Sequence, residues 1–402
     1  MELTSQSPVG LKILHVQGIF SPEHGGPAHS LANYCLGQAR RGNDVEAWVL
    51  EGFPHTSPAI RLPSRVKTVV SPVGFPAALG RSTEMRRLFS TIQDPEIIHL
   101  HGTWLRAMHY GALEARRRRV PYILEVMGMY EAYSLRQKWL RKRLARWWFQ
   151  DTILKNASCL HVNSAAEGAH LRKLGFRQPL AVIPVGVDTE AIEKRQRAIG
   201  GSSPWPELKG RSFFLFLSRV HGKKGIEVLL ESWAGLAPSK KEWVLVLAGS
   251  GSPDYVAYCK QRAADLGIAE RCFWTGQVTE DQKTWLLSNA GFFVLPSYSE
   301  NFGNVVPEAL AHGAPVITTD AAPWAGLRTQ RCGWVVRPTV EGLSEALTEA
   351  LGADRTELQA MGAKGRDWCR KEFALTRVLD LIDQTYHWLL ARGPAPSAVL
   401  LD

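Results

Sequence analysis

Two acids in one short string, Glu300 and Glu308 in Ser299-Glu300-Asn301-Phe302-Gly303-Asn304-Val305-Val306-Pro307-Glu308, have seven residues between them. The pattern puts Glu300 on a loop and Glu308 on the first turn of a helix, with Asn304 as N-cap and Pro307 tolerated near the start. A carboxylate at that turn can grip the vicinal hydroxyls of a ribose, and one on the loop can orient the hydroxyls of a second sugar. The amides of Gly303, Asn304 and Val305 can meet phosphate. Taken alone, Glu308 also fits a plain role, complementing the helix dipole.

Two cations, Arg219 and Lys224, stand in Ser218-Arg219-Val220-His221-Gly222-Lys223-Lys224-Gly225 between a strand-like run and a helical one. Fixed positive charge at such a turn stabilises a diphosphate as its charge grows during bond cleavage, although a solvated basic turn has the same composition. Gly25-Gly26-Pro27 occupies a similar turn before a helical pattern from Ser30 to Arg40. Missing side chains there let phosphate or sugar approach the backbone; an ordinary tight turn explains the pair equally, and the G-x-G-x-x-G spacing of dinucleotide sites is absent. His101 ends the run Ile97-Ile98-His99-Leu100, and a strand tip faces the crevice of an α/β sheet, with His99 on the same side but deeper. A strand histidine is as often structural.

These residues need sheets to hold them. Apolar, β-branched runs predict strands at residues 11–16, 45–50, 66–73, 97–101, 122–126, 159–162 and 181–185, and again at 213–217, 244–248, 272–275, 292–295, 315–318 and 334–336. Helical segments separate them. Continuous apolar strands alternating with helices indicate parallel sheets buried on both faces. The fold class is therefore α/β, with two Rossmann-like doubly wound domains, residues 1–190 and 191–374. The break falls at Pro184-Val185-Gly186-Val187-Asp188, where Asp188 can cap a helix beginning at Thr189. A last helix, from Leu375 to about Arg392, has an apolar face of Leu379, Ile382, Tyr386, Leu389 and Leu390 that could pack on either domain.

Composition narrows the setting. Six scattered cysteines without a C-x-x-C pair suit reduced thiols and neither a zinc site nor a disulfide framework. The first ten residues do not read as a signal peptide, and no apolar run reaches the ~18 residues of a membrane span, so a cytoplasmic location is expected. The net charge of +10 is lopsided: residues 1–190 carry 24 Lys and Arg against 15 Asp and Glu, the remainder 24 against 23. A basic half beside a neutral one implies an anionic partner. Arg136-Gln137-Lys138-Trp139-Leu140-Arg141-Lys142-Arg143-Leu144-Ala145-Arg146-Trp147-Trp148-Phe149 mixes cations with aromatics, as an interfacial helix on an anionic membrane does; a core-packed helix with a solvated rim fits as well. Arg116 to Arg119 adds a second cluster, and no nucleic-acid-binding motif accompanies either.

With these residues in view, the chain resembles glycosyltransferase family 4, retaining enzymes of the GT-B fold in which two domains face a central cleft. The motifs that carry the likeness are Ser218-Arg219 with Lys224-Gly225, Gly276-Gln277-Val278, the Glu300 to Glu308 string, Gly313-Ala314-Pro315-Val316-Ile317-Thr318 and Cys332-Gly333-Trp334. The first half agrees more loosely, through Gly25-Gly26, His99-Leu100-His101-Gly102 and Pro184 to Asp188. The wording around Thr103-Trp104 is similar to bacterial enzymes of exopolysaccharide, capsule or lipopolysaccharide synthesis. Met127 and Val185 depart from the pattern, where Arg and Asn are frequent.

The resemblance implies a hexosyltransferase taking sugar from a UDP- or GDP-linked donor to a glycan or polyprenyl-diphosphate-linked acceptor. Arg219 and Lys224 would contact the diphosphate, Glu308 the ribose, Val278 the base and Glu300 the sugar, while Gly25, Gly26 and His101 approach from the first domain. The final helix, residues 375–402, would return to that domain. No cofactor and no metal are implied. Two rival expectations stand beside it: a non-catalytic, membrane-associated nucleotide-sugar-binding partner of a glycan assembly complex, and a sugar-nucleotide epimerase of the same fold.

Overall fold

The computed structural model describes residues 10–136, 139–200, 203–240 and 242–401. Residues 1–9, Gln137 and Lys138 of the basic segment, and Gly201 and Ser202 lie outside them. The chain divides into two compact units, Met1–Gly186 with Leu375–Asp402, and Val187–Ala374.

The strands, in chain order, are β1 (Lys12–Ile19), β2 (Asp44–Glu51), β3 (Lys67–Pro72), β4 (Ile97–His101), β5 (Tyr122–Glu125), β6 (Cys159–Val162) and β7 (Leu180–Val182). The second unit contributes β8 (Ser212–Leu217), β9 (Trp243–Ala248), β10 (Cys272–Gly276), β11 (Phe293–Leu295), β12 (Val316–Thr319) and β13 (Gly333–Val336), and β14 (Val399–Leu400) closes the chain. In the first unit they order as β14-β7-β6-β5-β4-β1-β2-β3, parallel except for β14 against β7. In the second the order is β10-β9-β8-β11-β12-β13, parallel throughout. Both sequences reverse direction once, between β1 and β4 and between β8 and β11. A doubly wound sheet opens a crevice at the carboxyl ends of the strands where its order reverses.

The strands form because their residues are apolar on both faces. Phe213 to Phe216 of β8 and every residue of β9 are buried, so helices must cover each side. In the first unit the last helix, Leu375–Leu389, does part of that covering. Its Leu379, Ile382 and Tyr386 pack with Ile13, Ile97 and Ile123 of the sheet. Arg41 pins it from the side, 2.7 Å from Asp383 and 2.8 Å from Asp380. The two-residue β14 gave no periodic signal in the sequence. Asp188 caps the helix Thr189–Ile199 through Ala191 N, 2.9 Å away. Among the described residues no helix is long and apolar enough to cross a membrane.

Candidate functional site

In the second unit, the residues with chemistry collect at the β8/β11 switch point. The chain leaves β8 through Ser218 and Arg219, makes a short 3-10 turn at Gly222–Lys224, and enters the helix Ile226–Leu236. His221 steadies the turn by accepting from Lys223 N at 3.1 Å. Gly225 allows it: its φ is +67°, and a Cβ there would lie 2.1 Å from Pro296 O, so only glycine fits. Tyr298 N donates to Lys223 O at 2.9 Å, tying the turn to the loop after β11.

That loop carries Glu300. Its backbone N donates to Ala321 O at 3.0 Å, while Ser297 is held by Thr319 Oγ1, which donates to its carbonyl at 2.6 Å. Ser297 Oγ donates to Glu300 Oε1 at 2.7 Å, and Lys224 Nζ donates to the same oxygen. Both partners of this ion pair are mostly buried. Burial lowers the pKa of the Lys224 ammonium, with Glu300 opposing that shift. Arg219 is exposed beside them. The structure therefore brings Glu300, Lys224 and Arg219 to one edge, with a positive surplus. Such a surplus suits a diphosphate, and a mostly buried carboxylate beside it suits polyol hydroxyls.

Glu308 lies on the first turn of the helix Val305–His312. Asn304 stands at the N-cap position but does not cap. Its φ and ψ, −49° and −29°, are already helical and its side chain makes no capping bond; the turn is closed instead by Val306 N donating to Gly303 O at 2.8 Å. Glu308 also has a partner that the sequence reading missed. Lys283 Nζ sits 3.3 Å from Glu308 Oε2 and 3.0 Å from Glu280 Oε1, and although burial opposes its charge, the two acids raise its pKa. The i,i+3 spacing of Glu280 and Lys283, on the helix after Val278, signals their own pairing but not the contact with Glu308. Val278 itself is half-buried between β10 and that helix, whose Thr279 and Gln282 form a capping box.

In the first unit, Gly25 and Gly26 sit after β1 at the β1/β4 switch. The helix starts at Gly26, four residues earlier than the Ser30 expected, because Pro27 is accommodated in its first turn. Gly25 has a φ of +65°, and its carbonyl accepts from Ala28 N and His29 N at 3.0 and 3.2 Å.

His101 is not an open strand-tip ligand. It is 3% exposed, its Nδ1 lies 2.6 Å from Glu125 Oε2 and its Nε2 2.8 Å from His15 Nδ1. The reason is register: β4 is flanked by β1 and β5, which set His15 beside His99 and Glu125 beside His101, while β6 sets His161 beside Glu125. His99 lies deeper on the same side, stacked on His101 with ring centroids 4.2 Å apart, and reaches Tyr386 OH at 2.8 Å. Beyond His15, Gln38 Oε1 is 2.7 Å from Nε2, and Gln38 Nε2 donates towards Asp383. This orientation makes His15 Nε2 the donor, His15 Nδ1 the acceptor from His101, and His101 Nδ1 the acceptor from a protonated Glu125. Burial, which raises the Glu125 pKa and pushes His15 and His101 down to about 3, agrees with a neutral chain.

Two sets in this cluster, His15 with His99 and His101, and His99 with Glu125 and His161, have ligand atoms within 4.8 Å of one another. Stacked rings run their in-plane lone pairs side by side instead of converging them, and His15 and His101 already spend both nitrogens on hydrogen bonds. The geometry fits a hydrogen-bonded network better than a metal centre.

The basic segment is helical over Trp139–Ala145 and continues through a π-helical turn, Arg146–Gln150. Trp139, Leu140, Leu144, Trp147 and Trp148 are each more than half exposed, Trp147 at 86%. A core-packed helix is thereby overturned. Two of its cations are engaged internally: Lys142 Nζ donates to Ser134 O at 2.5 Å, and Arg146 forks onto Asp151 at 2.9–3.2 Å.

Comparison with known proteins adds two family matches. Residues 25–186 match the family described as glycosyl transferase 4-like domain, and residues 203–368 match glycosyl transferases group 1. The lipopolysaccharide core biosynthesis mannosyltransferase LpcC of Rhizobium leguminosarum bv. viciae is 32% identical over 219 residues, 53% of this chain and 60% of that relative. The chain thus spans under two thirds of that relative's length. The O-antigen chain mannosyltransferase C of Escherichia coli is 23% identical over 394 residues, 94% of this chain and 99% of the relative. Among solved structures, the Anabaena protein HepE in complex with UDP and glucose superposes with a TM-score of 0.70 at 17% identity, covering 93% of this chain and 99% of that one. That likeness gives the fold, two doubly wound domains of GT-B type.

Proposed function

The chain belongs to the glycosyltransferases that join a 4-like domain to a group 1 domain, and on that premise we propose that it is a retaining hexosyltransferase of cell-surface polysaccharide synthesis. The single observation that carries this reading is the convergence of Arg219, Lys224 and Glu300 at the β8/β11 switch point of the second domain. The donor is a UDP- or GDP-sugar: HepE was solved with UDP and glucose, and a Xanthomonas campestris relative is named for GDP-mannose and a diphosphopolyprenol acceptor.

In this mechanism Arg219 and Lys224 take up the diphosphate, Glu308 holds the ribose, and the Gly303 to Val305 backbone approaches phosphate. Val278 borders the base. Glu300 orients the sugar. The C1–O bond to the diphosphate breaks while the acceptor oxygen bonds C1 on the same face, and the acceptor's proton passes to the departing phosphate. Negative charge builds on the leaving group, where two fixed cations stabilise it most, so no metal or cofactor is needed. His101 serves as a buried brace of the β4 edge. The acceptor is a lipid-linked glycan, and the protein works peripherally on the inner face of the membrane. The exposed Trp139, Leu140, Leu144, Trp147 and Trp148 support that contact.

Incubation with labelled GDP-mannose or UDP-glucose and a polyprenyl-diphosphate-linked sugar tests the proposal. Transfer with retained anomeric configuration, unaffected by a chelator, is expected, and Arg219→Ala and Glu300→Ala should each lower kcat by ~10²-fold. Normal turnover in both variants would remove the mechanism. Conversion of the donor without any acceptor would favour the epimerase instead.

A further inference from the structure

The amino edge of the second sheet holds a cavity that the chemistry above does not use. It has a volume of about 1220 Å³ and is lined by the starts of β8 and β9, by Gly291 and Pro315 leading into β11 and β12, and by the first turns of the helix Arg355–Glu372. Because the strands are parallel, this edge lies a full strand length from Arg219, Lys224 and Glu300, which follow the carboxyl ends of β8 and β11.

Its charge is one-sided. Lys209, Arg211, Arg355 and Arg366 line it, and no aspartate or glutamate is among the lining residues described. Trp285 Nε1, His312 Nε2 and Arg366 Nε, on three of the lining residues, have no hydrogen-bond partner among the described residues and lie behind the wall, closed to solvent. Trp285 and His312 are themselves 5% and 3% exposed. His312 Nδ1 donates to Glu308 O at 2.7 Å. The Arg366 guanidinium lies across Gly313, where a Cβ would come within 2.3 Å of it, and donates to His312 O at 3.1 Å.

Cations without acids select an anion, and guanidinium selects phosphate geometry. At about 1220 Å³ the space is far larger than a bare phosphate fills and lies somewhat above the range of small-molecule sites, roughly 300–1,000 Å³. Trp243, Trp285 and Phe213 add apolar wall beside the cations. We propose that this cavity is a binding site for a phosphorylated, ring-bearing small molecule, a nucleoside monophosphate or a sugar phosphate, distinct from the carboxyl-edge site.

Titration calorimetry on the whole chain with GMP, glucose 6-phosphate and inorganic phosphate tests it, the first two arms separating nucleotide from sugar phosphate. Lys209 and Arg355 are exposed, and an acid at the first helical position suits the dipole, so K209E/R355E should fold. One ring-bearing phosphate should bind at least ~10-fold more tightly than inorganic phosphate, weaken by ~10-fold or more in K209E/R355E, and bind Arg219→Ala unchanged. Absence of binding by both, equal affinity for inorganic phosphate, or a loss in Arg219→Ala matching that in the double variant would overturn the proposal.

Discussion

Lys224 and Glu300 meet across the line where the second sheet reverses its strand order, one from the turn after β8 and the other from the loop after β11. Ser297 Oγ donates to the same carboxylate oxygen at 2.7 Å. The two donors differ in kind: Lys224 also offers charge to a phosphate, whereas Ser297 only orients Glu300. Lys224→Met should therefore lower kcat by ~10²-fold, and Ser297→Ala by only about tenfold, the low end of what one hydrogen bond to a carboxylate is worth. Steady-state rates on the two variants check it. Equal losses would mean that Lys224 merely positions Glu300.

Gly225 is the hinge pin of that arrangement. With its φ at +67° and Pro296 O in the space of a Cβ, Gly225→Ala must move the Lys224 turn away from the β11 loop. Thermal unfolding should register a loss of well over ~1 kcal/mol, because steric displacement adds to the left-handed backbone cost. Donor affinity should fall with it. An unchanged melting temperature would contradict the geometry.

Acid should weaken the first domain. Burial lowers the pKa of His15, His99, His101 and His161, so each binds a proton more tightly unfolded than folded. Their contribution is intact above ~6.5 and is lost as pH falls toward the folded values, at up to ~1.4 kcal/mol per pH unit for each group. Glu125 and Glu167 act the other way: burial raises both, Glu167 to about 7, so they favour the folded state at acid pH and lose that effect as pH rises through their folded values. Four groups outweigh two. Hydrogen exchange at β1 and β4 amides should show a lower opening free energy at pH 5 than at pH 7, and His15→Gln should flatten the difference.

The exposed aromatic patch makes a further prediction. Lys142 and Arg146 are held by Ser134 and Asp151, so apolar contact carries more of any membrane affinity than those charges do. Leu144→Ser with Trp147→Ser should weaken partitioning onto anionic vesicles by ~10-fold or more, since each buried large apolar side chain is worth ~1.5–3 kcal/mol. Flotation measures it. Unchanged partitioning would remove the membrane from the proposed function.

What the sequence could determine was local. Apolar runs such as Phe213–Leu217 and Val244–Ala248 are strands because no other conformation buries both faces so economically, and their alternation with helices implies doubly wound sheets. Turn chemistry was legible in part: Asp188 caps the helix it precedes, whereas Asn304, read the same way, does not. Tertiary structure alone decided the pairings. Lys283 reaches Glu308 from another helix, 25 positions away, and no periodicity reports such a contact. The last helix carried an apolar face that either domain could have accepted; Ile13, Ile97 and Ile123 received it. His101 looked like an open ligand at a strand tip, yet parallel register between β1, β4, β5 and β6 set His15, Glu125 and His161 around it. A single strand shows which way a side chain points, and only its neighbours determine whether anything is left for it to bind.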